Sequence, residues 1–331
     1  MSYTREREVA VAAVEQASRL CRAVQASLVS EESIAKKDES PVTIADFGAQ
    51  AVVARTLRGA FPTLRLVGEE DASELRAPGN AALLARVVEA VADVAPGIGA
   101  DAVLDLIDAG NDAGGATGRH WTLDPIDGTK GFLRGEQYAV ALALIADGEV
   151  VLGVLGCPNL PMDADRPDAA RGCLFVAEQG GGAWVRSLDG GPETPISVTE
   201  IQDPARARFC ESVEAAHSSQ DDAAQVAARL GITLPPFRID SQCKYAAVAR
   251  GDASIYLRLP TKKGYEEKIW DHAAGVAVIC EAGGRVTDVD GRDLDFSLGR
   301  TLRENRGVIV TNHHLHERVL EAVREVLGRS A

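Results

Sequence analysis

Between residues 4 and 29 the apolar side chains Val9, Ala13, Ala17, Leu20 and Val24 return every three or four positions, which predicts a long amphipathic helix. A polar loop over residues 30–41 leads to a second helix, started at Thr43, whose small apolar residues run through Ala45, Ala49, Val52 and Val53. Residues 64–68 predict a short strand that ends in Glu69, Glu70 and Asp71. A helix is expected over residues 80–94 and a Gly- and Asp-rich loop over 108–118. Strand-like residues 121–123 stop at Asp124-Pro125, after which Gly128 opens a turn and a short helix through Phe132. Strands over 138–146 and 150–156 meet at Asp147-Gly148, a strong hairpin signal. Residues 158–172, rich in Pro and Asp, predict a surface excursion before strands resume at 173–177 and 183–185.

Around residues 189–195 the composition turns to Gly and Pro, which places a domain boundary near residue 200. The expectation is an N-terminal α+β domain over 1–200, carrying most of the acidic candidates, and a C-terminal α/β domain over 201–331. The second part alternates strands at 208–210, 237–239 and 254–259 with helices at 221–230, 243–250 and 273–282. Such alternation favours layered α/β architecture. A length of 331 residues, more than one core usually supports, fits two packed domains with a cleft between them.

Charge and cysteine usage narrow the function. A net charge of -14 argues against a polymeric nucleic acid partner, which needs clustered Lys and Arg. The six cysteines are scattered without CxxC pairs, so reduced thiols in an intracellular protein are expected. No stretch approaches the roughly 20 apolar residues of a membrane span, and residues 1–8 are too charged for a signal segment. The placement is therefore cytoplasmic, with organelle targeting left open.

Four places put carboxylates at the ends of apolar elements: Asp46, Glu69 with Glu70, Asp124 with Asp127, and Asp271. Converging, they would repel one another unless cations sat among them. Hard oxygen donors without a His or Cys cluster point to Mg²⁺ rather than Zn²⁺. Any one acid after a strand is ordinarily a surface cap or Asx-turn. The run from Trp121 to Thr129 is more specific. Pro125 turns the chain so that Asp124 and Asp127 can face one ion pair, with the Ile126 carbonyl as a third ligand. Gly128 and Thr129 open a turn or helix N-terminus suited to phosphate.

Gly68-Glu69-Glu70, Asp124 through Thr129, and Trp270-Asp271-His272-Ala273-Ala274-Gly275 stand in the order of the GEE, DPIDGT and WDxAAG hallmarks of the inositol monophosphatase superfamily, which the whole chain resembles. The stretches 37–46, 128–132, 214–219, 240–245, 256–260 and 265–268 look like its 3′(2′),5′-bisphosphate nucleotidase branch, especially the plant and fungal members. The resemblance implies an α/β (α+β) fold, a layered α-β-α-β-α sandwich of the inositol monophosphatase and sugar phosphatase type. It implies a Mg²⁺-dependent phosphomonoesterase that removes the 3′ or 2′ phosphate from 3′-phosphoadenosine 5′-phosphate, and from its phosphosulfate, by direct attack of water. Carried over, the ligands of two or three Mg²⁺ ions are Glu69, Asp124, the Ile126 carbonyl, Asp127 and Asp271, with Asp46 near a further ion. Asp46 and Thr129 would position and deprotonate the water, and Glu70 would orient a water or Thr129. Gly128, Thr129, His217, Ser241, Lys244, Arg258 and Glu267 would hold the substrate. The physical reading agrees for His217, Ser241, Lys244 and Arg258, which bring donors and positive charge for a second phosphate, although each has an ordinary surface or structural alternative. Tyr245 and Tyr265 are candidates to stack on adenine, but an aromatic beside an apolar run is more often core, so neither joins the site residues.

Inhibition by Li⁺, and often by Na⁺, is expected from the same resemblance. The partner is then a small bisphosphorylated nucleotide, with neither nucleic acid polymer nor membrane, and the state a monomer or homodimer. The rivals are an inositol polyphosphate 1-phosphatase, with the same metal core and another wall, and a non-catalytic nucleotide sensor. The sensor would be favoured by loss of Thr129, Asp46 or a ligand, and none is lost.

Overall fold

The computed structural model describes residues 2–30, 40–166, 168, 170–213, 220–261 and 264–328. The chain opens with α1 (Thr4–Ser30) and α2 (Ser40–Ala60), then β1 (Leu66–Gly68), α3 (Ala81–Val94), α4 (Ala100–Asp108), β2 (Arg119–Asp127) and α5 (Thr129–Leu133). Strands β3 (Ala139–Ala146), β4 (Glu149–Pro161), β5 (Arg171–Glu178), β6 (Gly182–Ser187) and β7 (Thr194–Ile196) complete a first sheet, ordered β1 to β7, in which only β1 and β2 are parallel. A second sheet, in the order β11-β12-β10-β8-β9, is built from β8 (Phe209–Glu211), β9 (Phe237–Arg238), β10 (Ile255–Arg258), β11 (Arg285–Thr287) and β12 (Val308–Thr311). Helices α6 (Gln220–Leu230), α7 (Cys243–Ala249), α8 (Ala273–Glu281) and α9 (His316–Gly328) accompany it.

Alternation along the strands fixes the layers. On β3, Val140, Leu142 and Leu144 join the core beneath α1 to α4, whereas Ala139, Ala141, Ala143 and Ile145 face the core shared with α7, α8 and one side of the second sheet. The other side of that sheet, through Phe209, Ile255, Leu257 and Ile309, packs on α6 and α9. The order helix, sheet, helix, sheet, helix is the expected α-β-α-β-α sandwich. Small residues let the middle layer close: a Cβ on Gly153 of β4 would lie 2.6 Å from the Ala274 carbonyl and 2.7 Å from the Ala277 Cβ of α8.

Several expectations shift in detail. Helix α2 begins at Ser40, three residues before Thr43, with Pro41 in the first turn where its missing N–H breaks no helical bond. Strand β2 does not stop at Asp124-Pro125 but runs on to Asp127, and β4 runs to Pro161, which shortens the surface excursion. Helix α4 falls where no element was expected. The Asp147-Gly148 hairpin stands as expected, both residues in the left-handed region at φ 50 and 84, the pair of values a type I′ turn requires. Among the described residues, no helix is long and apolar enough to cross a membrane.

Candidate active site

Two residues three apart on a strand normally point to opposite faces. In β2, Asp124 pairs with Ala141 but Asp127 pairs with Ala139, so β2 carries one more residue than β3 between them. That bulge restores the parity and turns both carboxylates toward one place, where each feels the charge of Asp271. Ile126 keeps its side chain in the core, and its carbonyl falls within the irregular stretch. Gly128 follows in a left-handed conformation, φ 92, and a Cβ there would come within 2.9 Å of the Ser241 Cβ. Thr129 begins α5 with its side chain exposed.

The neighbouring strand supplies the next acids. Gly68 ends β1 beside Leu123, and the Glu69 N–H donates to the Leu123 carbonyl at 3.2 Å. Behind this turn stands Gln50, fully buried on α2 one turn after Asp46. Its amide accepts from the Glu70 N–H at 3.1 Å and donates to the Glu70 and Ile107 carbonyls at 2.6 and 2.8 Å. A Cβ on Gly68 would strike the same amide at 2.5 Å. Asp271 arrives on a one-turn 3-10 segment, Ile269–Asp271, just ahead of α8. Gln242 ties that segment to β2: its N–H donates to Asp127 Oδ2 at 2.5 Å, its side-chain amide donates to the Trp270 carbonyl, and its side-chain oxygen accepts from the Gly275 N–H, both at 2.9 Å.

The acids crowd one another. Burial and the charges of Glu70 and Glu69 raise the Asp46 pKa, and burial with Glu69, Asp127, Asp271 and Asp46 raises that of Asp124. Asp127 is pushed up to about 6 by burial and Asp271, against Lys244 and Arg258. Burial and the charges of Asp271, Glu70 and Asp127 push Glu69 up to about 8, against a hydrogen bond with Asp124. Because Glu69 is open to solvent, charge crowding is the part of that shift that bears on chemistry. Glu70 rises to about 7 through burial and the charges of Glu74 and Asp71.

The opposite wall is cationic. Lys244, on α7, is nearly fully buried with Nζ 5.2 Å from the Tyr256 ring centre. Burial lowers its pKa, while Asp127 works against that shift. Arg258, at the end of β10, donates to Glu267 at 2.7 Å and to Asp271 at 3.2 Å. Glu267 also bonds His272 Nε2 at 3.2 Å, and His272 Nδ1 meets the Tyr245 hydroxyl at 2.7 Å. Against the pull of burial, the His272 hydrogen bond and the Arg258 charge hold Glu267 down at about 2. Ser241 takes φ 66, and its hydroxyl binds the Asp240 carbonyl at 2.5 Å. Tyr245 is a core aromatic as expected, but Tyr265 is 53% exposed. His217 lies outside the described residues.

The donor set fits a hard divalent cation. Asp46 Oδ1 and Asp124 Oδ1 are buried with no hydrogen-bond partner, a costly condition for a carboxylate oxygen unless a cation answers it. Glu267, Asp271 and His272 bring ligand atoms within 4.8 Å of one another, but Arg258 and Tyr245 already occupy Glu267 and His272, so of these only Asp271 belongs to the acidic group. Asp46 Oδ1, having no partner, makes no hydrogen bond to Thr129.

The family model described as "Inositol monophosphatase family" matches residues 3–327. The chain belongs to the inositol monophosphatase family. It is 48% identical over 341 residues to a 3′(2′),5′-bisphosphate nucleotidase of Oryza sativa, across 98% of this chain and 95% of that one. A protein of the same name from Emericella nidulans is 47% identical over 353 residues, across 99% of each chain. The solved inositol monophosphatase from Anabaena has a TM-score of 0.63 at 19% identity, covering 98% of this chain and 97% of that one, which establishes the shared fold. Two residues to which the sequence assigned no role, Gln50 and Gln242, carry much of the site's geometry. Gln50 was signalled by its polarity amid the small apolar residues 48–53, whereas Gln242, between Asp240-Ser241 and Lys244, carried no such contrast.

Proposed function

We propose that the chain is a Mg²⁺-dependent 3′(2′),5′-bisphosphate nucleotidase that converts 3′-phosphoadenosine 5′-phosphate to AMP and phosphate, and the corresponding phosphosulfate to adenosine 5′-phosphosulfate. The observation that carries this reading is the cationic wall of Lys244 and Arg258 set against the acidic group: one side handles the scissile phosphate, the other a second phosphate. The near full-length likeness to proteins named as nucleotidases supports it.

In this reading Glu69, Asp124, the Ile126 carbonyl, Asp127 and Asp271 hold two or three Mg²⁺ ions, with Asp46 near a further one. Bound there, Mg²⁺ lowers the pKa of water and offsets the charge of the phosphate. Asp46 accepts the proton that the attacking water releases through the Thr129 hydroxyl. The water oxygen bonds to phosphorus, the bond from phosphorus to the ribose oxygen breaks, and that oxygen takes a proton from a solvent water to leave as a hydroxyl, while Asp46 returns its own proton to solvent. Gly128 and Thr129 orient the scissile phosphate, while Ser241, Lys244, Arg258 and His217 bind the second one and the nucleoside. Glu267 acts on the substrate by holding Arg258 in place. We place this activity in the cytoplasm, in a monomer or homodimer inhibited by Li⁺. The chain divides near residue 200 into a part bearing most ligands and a part bearing the wall.

The test is phosphate release from 3′-phosphoadenosine 5′-phosphate, inositol 1,4-bisphosphate and inositol 1-phosphate, each with Mg²⁺, with EDTA and with added Li⁺. Preference for the nucleotide, abolished by EDTA and reduced by Li⁺, is expected. Preference for an inositol phosphate would replace the account of the wall, and no release at all would leave a nucleotide sensor.

A further inference from the structure

The Glu69 and Asp271 sides of the acidic group come from different layers, more than two hundred positions apart in sequence, and a cation held by both requires a fixed separation. Arg300 spans that gap. One terminal nitrogen of its guanidinium donates to the Gly68 carbonyl at 2.6 Å, immediately before Glu69, and the other donates to the Gly110 and Asp112 carbonyls, both at 3.1 Å. The face of the same group lies 4.9 Å from the ring centre of Trp270, immediately before Asp271. Its main chain is fixed too: the Ile269 N–H donates to the Arg300 carbonyl at 3.2 Å, the Leu302 N–H donates to the Glu267 carbonyl at 2.8 Å, and Thr301 bridges Lys268. The carboxylates that act on its charge are Asp71 and Asp112, neither of them in the proposed ligand set.

We infer that Arg300 is a positioning residue that sets the spacing between the Glu69 and Asp271 sides of the cation site. The inference rests on the ligand assignment made above. It works through shape: three carbonyls converge on one planar fork whose face is covered by an indole, an arrangement that a lysine's single ammonium cannot reproduce. Charge conservation alone therefore does not preserve the function.

The experiment compares the full chain with Arg300→Lys, Arg300→Gln and, as a control for the ligand set, Asp124→Asn. Calorimetric titration with MgCl₂, thermal midpoints in EDTA and the Mg²⁺ dependence of phosphate release are measured on each. Both Arg300 variants are expected to fold in EDTA and to bind Mg²⁺ about 10- to 100-fold more weakly, the range typical of losing support behind metal ligands. The Mg²⁺ needed for half-maximal release rises by the same factor, while KM for the nucleotide at saturating Mg²⁺ stays near the parent value. Mg²⁺ affinity equal to the parent's in either variant, whatever its midpoint, reduces Arg300 to a clasp of the fold and overturns the inference. A parent chain that takes up no Mg²⁺, or an Asp124→Asn chain that takes it up as well as the parent, overturns the ligand assignment itself.

Discussion

Asp124→Asn is expected to make the chain more stable without divalent cations and inactive with them. Asp124 is 2% exposed, its Oδ1 has no partner, and burial with four neighbouring carboxylates raises its pKa well above the usual value. The folded chain therefore holds this proton to higher pH than the unfolded chain, whose value is about 3.9. Because the folded state binds more protons, stability falls as pH rises, beginning above the unfolded value, by up to about 1.4 kcal/mol per pH unit. Asparagine keeps the volume and has no proton to lose, but a buried amide without partners returns about 1 to 3 kcal/mol. The net effect is the proton-linked gain, which grows with pH, less this amide cost. With an unfolding entropy of about 2.1 cal/mol/K per residue over 331 residues, each 1 kcal/mol of net gain raises the midpoint by about 1.4 °C.

The assay is thermal unfolding of parent and variant in EDTA between about pH 5 and 8, read as the difference in midpoint at each pH. The difference cancels groups common to both chains, such as His316, which burial holds down at about 4, and Glu267, held at about 2 by His272 and Arg258 against burial. It is expected to widen with pH by about 2 °C per unit. Mg²⁺ at about 100 times its Kd should then raise the parent by about 4 °C and leave the variant unmoved, closing the gap. A variant midpoint at or below the parent's in EDTA at about pH 7.5, or a difference that does not change with pH, refutes a crowded, protonated acidic group. Near-normal Mg²⁺-dependent turnover in the variant refutes the ligand assignment.

Arg258→Ala removes a charged partner from the wall and is expected to raise KM for a bisphosphorylated nucleotide by about 10- to 150-fold, the equivalent of one hydrogen bond to a charged group. Hydrolysis of a simple monophosphate should change far less, and equal effects in steady-state kinetics would take Arg258 out of the wall. In Gly131→Ala the new Cβ would sit 2.1 Å from the Gln137 carbonyl oxygen, so the turn holding Thr129 must move. A loss of about 1 to 3 kcal/mol in denaturant unfolding, together with a lower kcat, is expected. Gly275→Ala drives a methyl to 2.4 Å from the Tyr245 ring, which holds His272 and, through Glu267, Arg258. A similar loss of about 1 to 3 kcal/mol is expected, with a raised nucleotide KM.

The acidic motifs were legible because their chemistry is local: an Asp-Pro-x-Asp-Gly-Thr run constrains its own backbone, and the β2 bulge lies within it. The layers were legible for a related reason, since alternation on β3 and β4 and helical spacing on α1 are properties of short windows. What escaped depends on sequence-distant partners. Pro125 was read as ending a strand, yet β1 and β3 flank β2 and draw it on to Asp127, and nothing in residues 119–127 records those neighbours. Helix α4 was missed because residues 100–108 sit between Gly-rich segments and bury only Val103, Leu106 and Ile107. Gln50 and Arg300 drew no reading from the sequence, since one is a polar residue on a helix and the other a cation in an acidic chain. Each acquires its role only when the fold brings main-chain groups to it: the glutamine amide meets Glu70 and Ile107, and the guanidinium meets Gly68, Gly110 and Asp112. Residues that do chemistry advertise it by type and spacing. Residues that hold the chemistry in place by bonding carbonyls bind groups that every amino acid shares, and so leave no mark in the partner's sequence.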